Sequence, residues 1–138
     1  MKIKVLFLCT GNSCRSQMAE GFLRELGVET CESFSAGVAP TVINHLALEA
    51  MDEEGIDITT QVSQSADEFT GQKFDYVITV CDNARATCPV YPGEYKKVHW
   101  DLEDPADAEG TKEEKLVVFR ETREKIKKNV TQFLLTRL

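Results

Sequence analysis

The apolar residues of the chain follow two alternating spacings, which predict strands and helices in turn. Residues 3–8 are apolar at nearly every position, as in a strand buried on both faces. Met18, Phe22 and Leu26 then recur at helical spacing until Gly27 ends the segment. Further strands are predicted at 31–35, 74–80 and 96–100, further helices at 42–54 and 113–137, and a helical turn at 66–71.

This alternation predicts an α/β fold. Strands that are separated by helices pair in parallel, with helices flanking the sheet. We predict a four-stranded parallel sheet in the order 2-1-3-4, within one domain that spans residues 1–138. A chain of this length buries enough apolar surface to fold without disulfides.

A Cys-x5-Arg loop lies between the first predicted strand and the first predicted helix. Successive N–H groups of such a loop, with the helix N-terminus, form a concave site for an oxyanion, and the arginine adds a bidentate donor. Cations and helix N-termini also favour the thiolate, the nucleophilic form of cysteine. The alternative is a tight Gly-Asn turn beside an inert buried thiol. The loop runs Cys9-Thr10-Gly11-Asn12-Ser13-Cys14-Arg15 and is followed by Ser16.

Two more cysteines flank the segment after the third predicted strand. Cys81 ends that strand and Cys88 follows seven residues later. In the order 2-1-3-4 the first and third strands are neighbours about 4.8 Å apart, within the roughly 4.4–6.8 Å Cα separation of a disulfide. Strand order therefore predicts that Cys9 and Cys81 lie within bonding reach. The alternative for Cys81 and Cys88 is a structural pair, and their spacings fit zinc poorly.

The segment between these two cysteines is expected to change conformation on oxidation. If residues 81–88 are helical when reduced, Cys81 and Cys88 lie about 10.5 Å apart along the axis. That exceeds the limit of about 7 Å for a disulfide, so the segment must unwind for them to bond. Hydrogen exchange of residues 81–93 is then expected to rise on oxidation.

Carboxyl groups follow the fourth predicted strand. Because parallel strands end at one edge of the sheet, a carboxyl there can protonate a leaving oxygen. Asp104 is the candidate general acid, Asp101 and Glu103 compete with it, and an ordinary Asp-Pro turn is the alternative. Ser16, at the helix start, either caps the helix or hydrogen-bonds Cys9.

Composition argues against several classes of function. The formal net charge is −7 and no basic patch is visible, so nucleic acid is not expected as a partner. No apolar run approaches the about 18 residues of a membrane span, and we expect no membrane association. The five cysteines are an odd number, which favours reduced thiols and a cytoplasmic location.

With these residues in hand, the chain resembles the thioredoxin-coupled arsenate reductases, which share the fold of the low-molecular-weight tyrosine phosphatases. The matching motifs extend over nearly the whole chain. They are residues 5–20, residues 35–37, residues 77–81, Cys88-Pro89, His99-Trp100 and Asp104-Pro105-Ala106.

The resemblance implies a role for each candidate residue. Cys9 would be the nucleophile, Arg15 an oxyanion ligand together with residues 10–16, and Asp104 the general acid. Cys81 and Cys88 would be the second and third redox thiols. The resemblance also implies arsenate as substrate, thioredoxin as reductant and a role in arsenic detoxification. We expect no cofactor and a monomer.

The chain departs from the family pattern in two places. Some relatives hold a potassium ion through residues that match Asn12, Glu20 and Ser35 together with an Asp. The last position here is Gln64, and we therefore predict no metal site.

The second departure lies beside the candidate general acid. The phosphatase branch has Asp-Pro-Tyr where this chain has Asp104-Pro105-Ala106. The missing tyrosine disfavours a tyrosine phosphatase. Phosphotyrosine or phosphomonoester hydrolysis through Cys9, Arg15 and Asp104 is therefore the alternative and not the leading hypothesis. A non-enzymatic thiol or zinc-binding regulator is a third.

Overall fold

Four parallel strands form the central sheet of the computed structural model, which describes residues 2–81 and 90–137. The sheet order is 2-1-3-4, and all three pairings are parallel. The predicted fold class and strand order are confirmed. The strands are β1 (Ile3–Cys9), β2 (Cys31–Gly37), β3 (Tyr76–Thr79) and β4 (Lys96–His99).

Helices α1 and α2 each follow one of the first two strands, and α3 follows β4. α1 ends at Gly27, as expected, and the Gly27 N–H donates to Leu23 O at 2.8 Å. α2 begins three residues later than predicted because the Asn44 side chain caps it, accepting from Leu46 N at 2.8 Å. The helices are α1 (Arg15–Leu26), α2 (His45–Asp52) and α3 (Lys112–Arg137), with 3₁₀ turns at Ala66–Phe69 and Pro105–Asp107.

Strand β1 is buried on both faces, as its apolar run predicted. Val5 and Phe7 pack in one cluster with residues of all three α-helices. Leu6 and Leu8 point to the other face, where the described residues that pack on them include Phe74 and other aromatic side chains. No helix in the described ranges is long and apolar enough to cross a membrane.

The carboxyl end of the sheet is where the Cys-x5-Arg loop begins. Cys9 is the last residue of β1 and pairs with Gly37, the last residue of β2. A Cβ on Gly37 would lie 2.5 Å from Thr10 O and 3.0 Å from Asn12 N, both backbone atoms. Only glycine therefore allows β2 to end against the loop.

Candidate active site

The loop after β1 is held from outside through its carbonyl groups. Because its peptide bonds are trans, each N–H points away from the preceding carbonyl and therefore toward the inside of the loop. The result is a concave set of N–H donors at the N-terminus of α1, suited to an oxyanion. The outer bonds are Ala39 N to Thr10 O, Thr41 N to Gly11 O, Gln17 Nε2 to Asn12 O, Asn44 N to Ser13 O and Met18 N to Cys14 O, all 2.9–3.0 Å.

A backbone N–H and a hydroxyl converge on the Cys9 sulfur, which is only 2% exposed. Asn12 N donates to Cys9 Sγ at 3.1 Å, and Ser16 Oγ lies 2.9 Å from it. Ser16 Oγ already accepts from Asn12 Nδ2 at 2.8 Å, so its own hydrogen is available to the sulfur. Of the two roles considered for Ser16, the structure shows the bond to Cys9. The N-cap of α1 is Cys14, with no side-chain capping bond.

Asn12 shapes the loop through an uncommon backbone conformation. Its φ of 49° lies in the left-handed region, which Asn tolerates better than most residues. Its side chain is buried and spans the site, because Oδ1 accepts from Gln64 N at 2.9 Å while Nδ2 donates to Ser16. Asn12 is thus fixed both at its backbone and at its side chain.

The structure brings Arg15 and Asp104 together beside the loop. Arg15 is 8% exposed, and its Nη1 donates to Leu102 O at 2.8 Å. Its Nη2 lies 3.6 Å from Asp104 Oδ2. The other carboxylate oxygen, Oδ1, accepts from Ala106 N at 3.0 Å and so caps the 3₁₀ turn. The Asp104 carboxyl is therefore oriented with one oxygen toward the loop.

The competing carboxylates are arranged differently. Asp101 and Glu103 are exposed, whereas Asp104 is half-buried and faces Arg15. Within the described ranges, Asp104 is thus the carboxylate of this segment that forms an ion pair with the loop arginine. Asp104 therefore both begins the Asp-Pro turn and places a carboxylate oxygen toward Arg15.

The remaining described cysteines are buried thiols. Burial raises the pKa of the Cys14 thiol to about 12 and also raises that of Cys31, so both stay protonated near neutral pH. This is the environment of an unreactive, structural cysteine.

Cys81 lies beyond the end of β3 and is 1% exposed. The parallel ladder continues one bond past the strand, with Val80 N donating to Leu8 O at 3.1 Å, so Val80 and not Cys81 is opposite Cys9. An offset of one residue on neighbouring strands corresponds to a Cα separation of about 5.8 Å, still within the disulfide range. Cys88 and the predicted unwinding of residues 81–88 lie outside the described residues.

The positions that match the potassium site of some relatives do not fit a cation here. Glu20 Oε1 accepts from Ser35 Oγ at 2.5 Å, and Asn12 Oδ1 accepts from Gln64 N. Gln64 Nε2 donates to Ser35 O at 3.3 Å, so a donor occupies the position where those relatives have a carboxylate. Burial raises the pKa of Glu20, which disfavours its charged form.

Sequence reasoning gave no role to Gln17, which is completely buried and bonded to the loop. Gln17, Gly21 and Arg24 share one face of α1, but the sequence does not show that the Gln17 amide is buried. Its partners lie on the distant segment 56–62.

The chain belongs to the low molecular weight phosphotyrosine protein phosphatase family, whose model it matches over residues 4–138. Its relatives include the arsenate reductase of Halalkalibacterium halodurans, which is 46% identical over 132 residues covering 96% of this chain and 95% of the relative.

Solved arsenate reductases share the structure. One, described as being in the phosphate binding state, has a TM-score of 0.82 and 36% identity over 98% of each chain. The Corynebacterium glutamicum thioredoxin-dependent arsenate reductase has a TM-score of 0.69 and 28% identity, covering 98% of this chain and 63% of that one. The resemblance inferred from the sequence motifs is confirmed.

Proposed function

We propose that this protein reduces arsenate to arsenite. The observation that carries the proposal is the convergence of Asn12 N and Ser16 Oγ on Cys9 Sγ, inside a loop of inward N–H groups that Arg15 and Asp104 border. Such a site holds a tetrahedral oxyanion against a nucleophilic sulfur. Relatives that are 42–46% identical over nearly the whole chain are arsenate reductases, which favours arsenate as that oxyanion.

The first step joins Cys9 to arsenic. The loop N–H groups and Arg15 hold the arsenate oxygens, and the Cys9 thiolate attacks the arsenic atom. A sulfur–arsenic bond forms while the bond from arsenic to one hydroxyl group of arsenate breaks, and Asp104 gives that hydroxyl a proton so that it leaves as water. Oδ2 of Asp104, which faces Arg15, is the oxygen on the side of the loop.

The second step reduces arsenic. Cys81 attacks the Cys9 sulfur of the adduct, and the electron pair of the sulfur–arsenic bond goes to arsenic. Arsenic(V) becomes arsenic(III) and leaves as arsenite, while the two thiols are oxidised to a Cys9–Cys81 disulfide. Cys88 then attacks the Cys81 sulfur, which releases Cys9 as a thiolate and leaves a Cys81–Cys88 disulfide.

An external dithiol protein completes the cycle. Because Cys88 keeps the last disulfide within this chain, no small thiol has to complete it, and we propose thioredoxin as the reductant. The thioredoxin-dependent relative from Corynebacterium glutamicum supports this choice. The relay starts from reduced thiols, so we expect it to operate in the cytoplasm.

The test is NADPH consumption on addition of arsenate in the presence of thioredoxin and thioredoxin reductase. The wild-type protein is expected to consume NADPH, and Cys81→Ser is expected to consume none. Cys31→Ala is the matched control, since it also removes a buried thiol but lies at the start of β2. Replacing thioredoxin by a glutaredoxin system is expected to slow turnover. Arsenate-independent NADPH consumption, or none, would overturn the proposal.

Phosphomonoester hydrolysis is the second candidate, and the family match supports it. The same Cys9, Arg15 and Asp104 would serve it, with Cys81 and Cys88 as bystanders. Cys81→Ser separates the two functions, because it should stop arsenate turnover and spare hydrolysis of an aryl phosphate. A protein that hydrolyses the phosphate but never turns over arsenate would be a phosphatase.

A further inference from the structure

One carbonyl of the active-site loop is held differently from the others. Thr10 O, Gly11 O, Ser13 O and Cys14 O each accept from a backbone N–H, which any residue except proline supplies. Asn12 O instead accepts from the side chain of Gln17, at 3.0 Å. The orientation of the peptide between Asn12 and Ser13 therefore depends on one side chain.

The Gln17 amide has only one possible orientation. Its Nε2 donates to a second carbonyl, Val62 O, at 3.1 Å, and its Oε1 accepts from Gln61 Nε2 at 2.8 Å. Two carbonyls require the nitrogen and one amide requires the oxygen, so a flipped amide would lose all three bonds. Gln17 is completely buried, and water cannot replace them.

Gln61 is oriented in turn by a cation. Its Oε1 accepts from Arg24 Nη1, and Arg24 Nη2 donates to Asp57 O at 3.0 Å. Because a guanidinium only donates, Gln61 must turn its oxygen to Arg24 and its nitrogen to Gln17, whose backbone O it also binds at 3.0 Å. Each side chain thus donates to the next one: Arg24 to Gln61, Gln61 to Gln17, and Gln17 to Asn12 O.

Gly21 makes this chain of hydrogen bonds possible. It lies one turn from Gln17 on α1, and a Cβ there would lie 2.7 Å from Ile58 Cγ2 and 3.1 Å from Met51 Cε. The absence of a side chain lets the segment that carries Ile58 and Gln61 approach the helix closely. Gln61 therefore reaches the Gln17 amide directly.

We infer that Gln17 is a positioning residue of the oxyanion site, which turns the Ser13 N–H toward the bound oxyanion. The inference rests on the proposed function, in which this loop binds arsenate. The Asn12–Ser13 peptide is trans, so holding Asn12 O outward directs Ser13 N–H inward. Without a donor at position 17, this carbonyl is buried and unsatisfied, and rotation of the peptide would point an oxygen at the anion.

A positioning role and a merely structural role predict different results for Cys9. Asn12 N, which donates to Cys9 Sγ, belongs to the preceding peptide, and the Gly11 O of that peptide is held by Thr41 N. Loss of the Gln17 amide should therefore weaken oxyanion binding while it leaves the reactivity of Cys9 toward a neutral reagent unchanged. Simple destabilisation of the loop would change both.

The experiment measures binding of inorganic phosphate to the full-length reduced protein by titration calorimetry. Gln17→Met keeps the length of the side chain and removes its donors, and the dissociation constant is expected to rise about 10- to 100-fold, as for one lost hydrogen bond to a charged group. The rate of Cys9 alkylation by iodoacetamide, followed by peptide mass mapping, should stay within about twofold of wild type.

Two further variants complete the test. In Gln17→Glu the side chain can donate to Asn12 O only when its carboxyl is protonated. The phosphate affinity of this variant, relative to wild type, should therefore recover as the pH is lowered. Phe133→Leu, in α3, is the control for lost stability, and it should bind phosphate as wild type does. If Gln17→Met does not fold, Gln61→Met, which removes the orienting donor, should weaken binding in the same direction.

Unchanged phosphate affinity in folded Gln17→Met, or parallel losses of affinity and of Cys9 alkylation, would overturn the inference. Wild-type protein that binds neither phosphate nor arsenate would instead refute the proposed function, and the inference with it.

Discussion

Cys9 and Cys14 lie in the same loop, and their surroundings give them different chemistry. Cys9 Sγ faces Asn12 N at 3.1 Å and Ser16 Oγ at 2.9 Å. Cys14 is enclosed in the apolar core, where burial raises the pKa of its thiol to about 12. Both thiols are 2% exposed, so we expect any difference in their reactivity to come from the hydrogen-bond donor and hydroxyl beside Cys9.

Cys14 is expected to resist modification in the folded protein. Because its pKa is raised, it stays a thiol through neutral pH, and iodoacetamide at pH 8 should label Cys9 while Cys14 remains unlabelled. Peptide mass mapping measures this, and urea-unfolded protein, in which both should react, is the control. Labelling of both cysteines at similar rates in the native state would contradict the prediction.

The raised pKa of Cys14 also predicts how stability varies at high pH. The thiol ionises near 9 when unfolded and near 12 when folded, so the unfolded state releases its proton first. Its contribution to stability is complete below pH 9 and is lost as the pH rises toward 12. Cys14→Ala should therefore lose less stability than wild type between pH 8 and pH 10.5 in urea unfolding, and an equal loss would contradict this.

Ser16→Ala should slow the chemistry at Cys9. The variant removes a hydroxyl that bonds both Cys9 Sγ and Asn12 Nδ2, and a lost hydrogen bond to a charged group corresponds to about 10-fold or more in rate. Stopped-flow measurement of kcat/KM for arsenate checks this. Ser33→Ala is the control, because within residues 2–81 and 90–137 the Ser33 hydroxyl bonds Glu20 O and not the loop. A Ser16→Ala rate equal to wild type would show that the hydroxyl does not act on the sulfur.

At the scale of elements, the end of β2 supports the loop. Gly37→Ala would place a Cβ 2.5 Å from Thr10 O, and neither backbone can move without breaking the pairing of Cys9 with Gly37. We expect phosphate binding to weaken about 10-fold or more and the free energy of unfolding to fall by about 1–3 kcal/mol. Glu32→Ala, exposed on the same strand, is the control. Wild-type phosphate affinity in Gly37→Ala would contradict this account of the loop.

Ion pairs join the C-terminal end of α2 to α3. Glu53, at the C-terminal end of α2, accepts from Arg120 and Arg123, and these hydrogen bonds lower the pKa of Glu53 to about 2. Because the pKa is lower in the folded state, the ionised carboxylate stabilises the fold at any pH above its unfolded-state pKa of about 4.5. This contribution is lost as the pH falls toward and below 2.

Glu53→Gln should therefore be slightly less stable than wild type at pH 7, and this difference should nearly vanish at pH 2. The pair is exposed, so the difference should be small and should shrink in 1 M salt. Urea unfolding at the two pH values measures it, with the exposed Glu109→Gln as control. A difference as large at pH 2 as at pH 7 would assign the role of Glu53 to packing rather than charge.

The strands and the loop could be predicted because each is encoded by neighbouring residues. The apolar run of β1 and the Cys-x5-Arg spacing are local patterns, and the alternation of strands with helices predicts parallel pairing. The start of α2 was missed because a single cap, Asn44, decides it. Gln17 was missed because its partner Gln61 is 44 residues away and no local pattern joins them.

At the scale of the molecule, the net charge has the same sign as the proposed substrate. The protein has a formal net charge of −7, and the proposed substrate is an anion. Exposed charges more than a Debye length away, about 8 Å in physiological salt, are largely screened. The N–H groups of the loop and Arg15 act at contact distance in a buried site, so the local field decides binding.

The measurement that tests the central claim most directly is a single turnover without external reductant. Fully reduced protein is mixed with arsenate, arsenite is quantified, and disulfides are mapped by mass spectrometry after acid quench. The account predicts one arsenite per protein, the loss of two thiols and a Cys81–Cys88 disulfide. The Cys88→Ser variant should also form one arsenite but retain a Cys9–Cys81 disulfide. No arsenite from fully reduced wild-type protein, or arsenite without loss of thiols, would contradict the account.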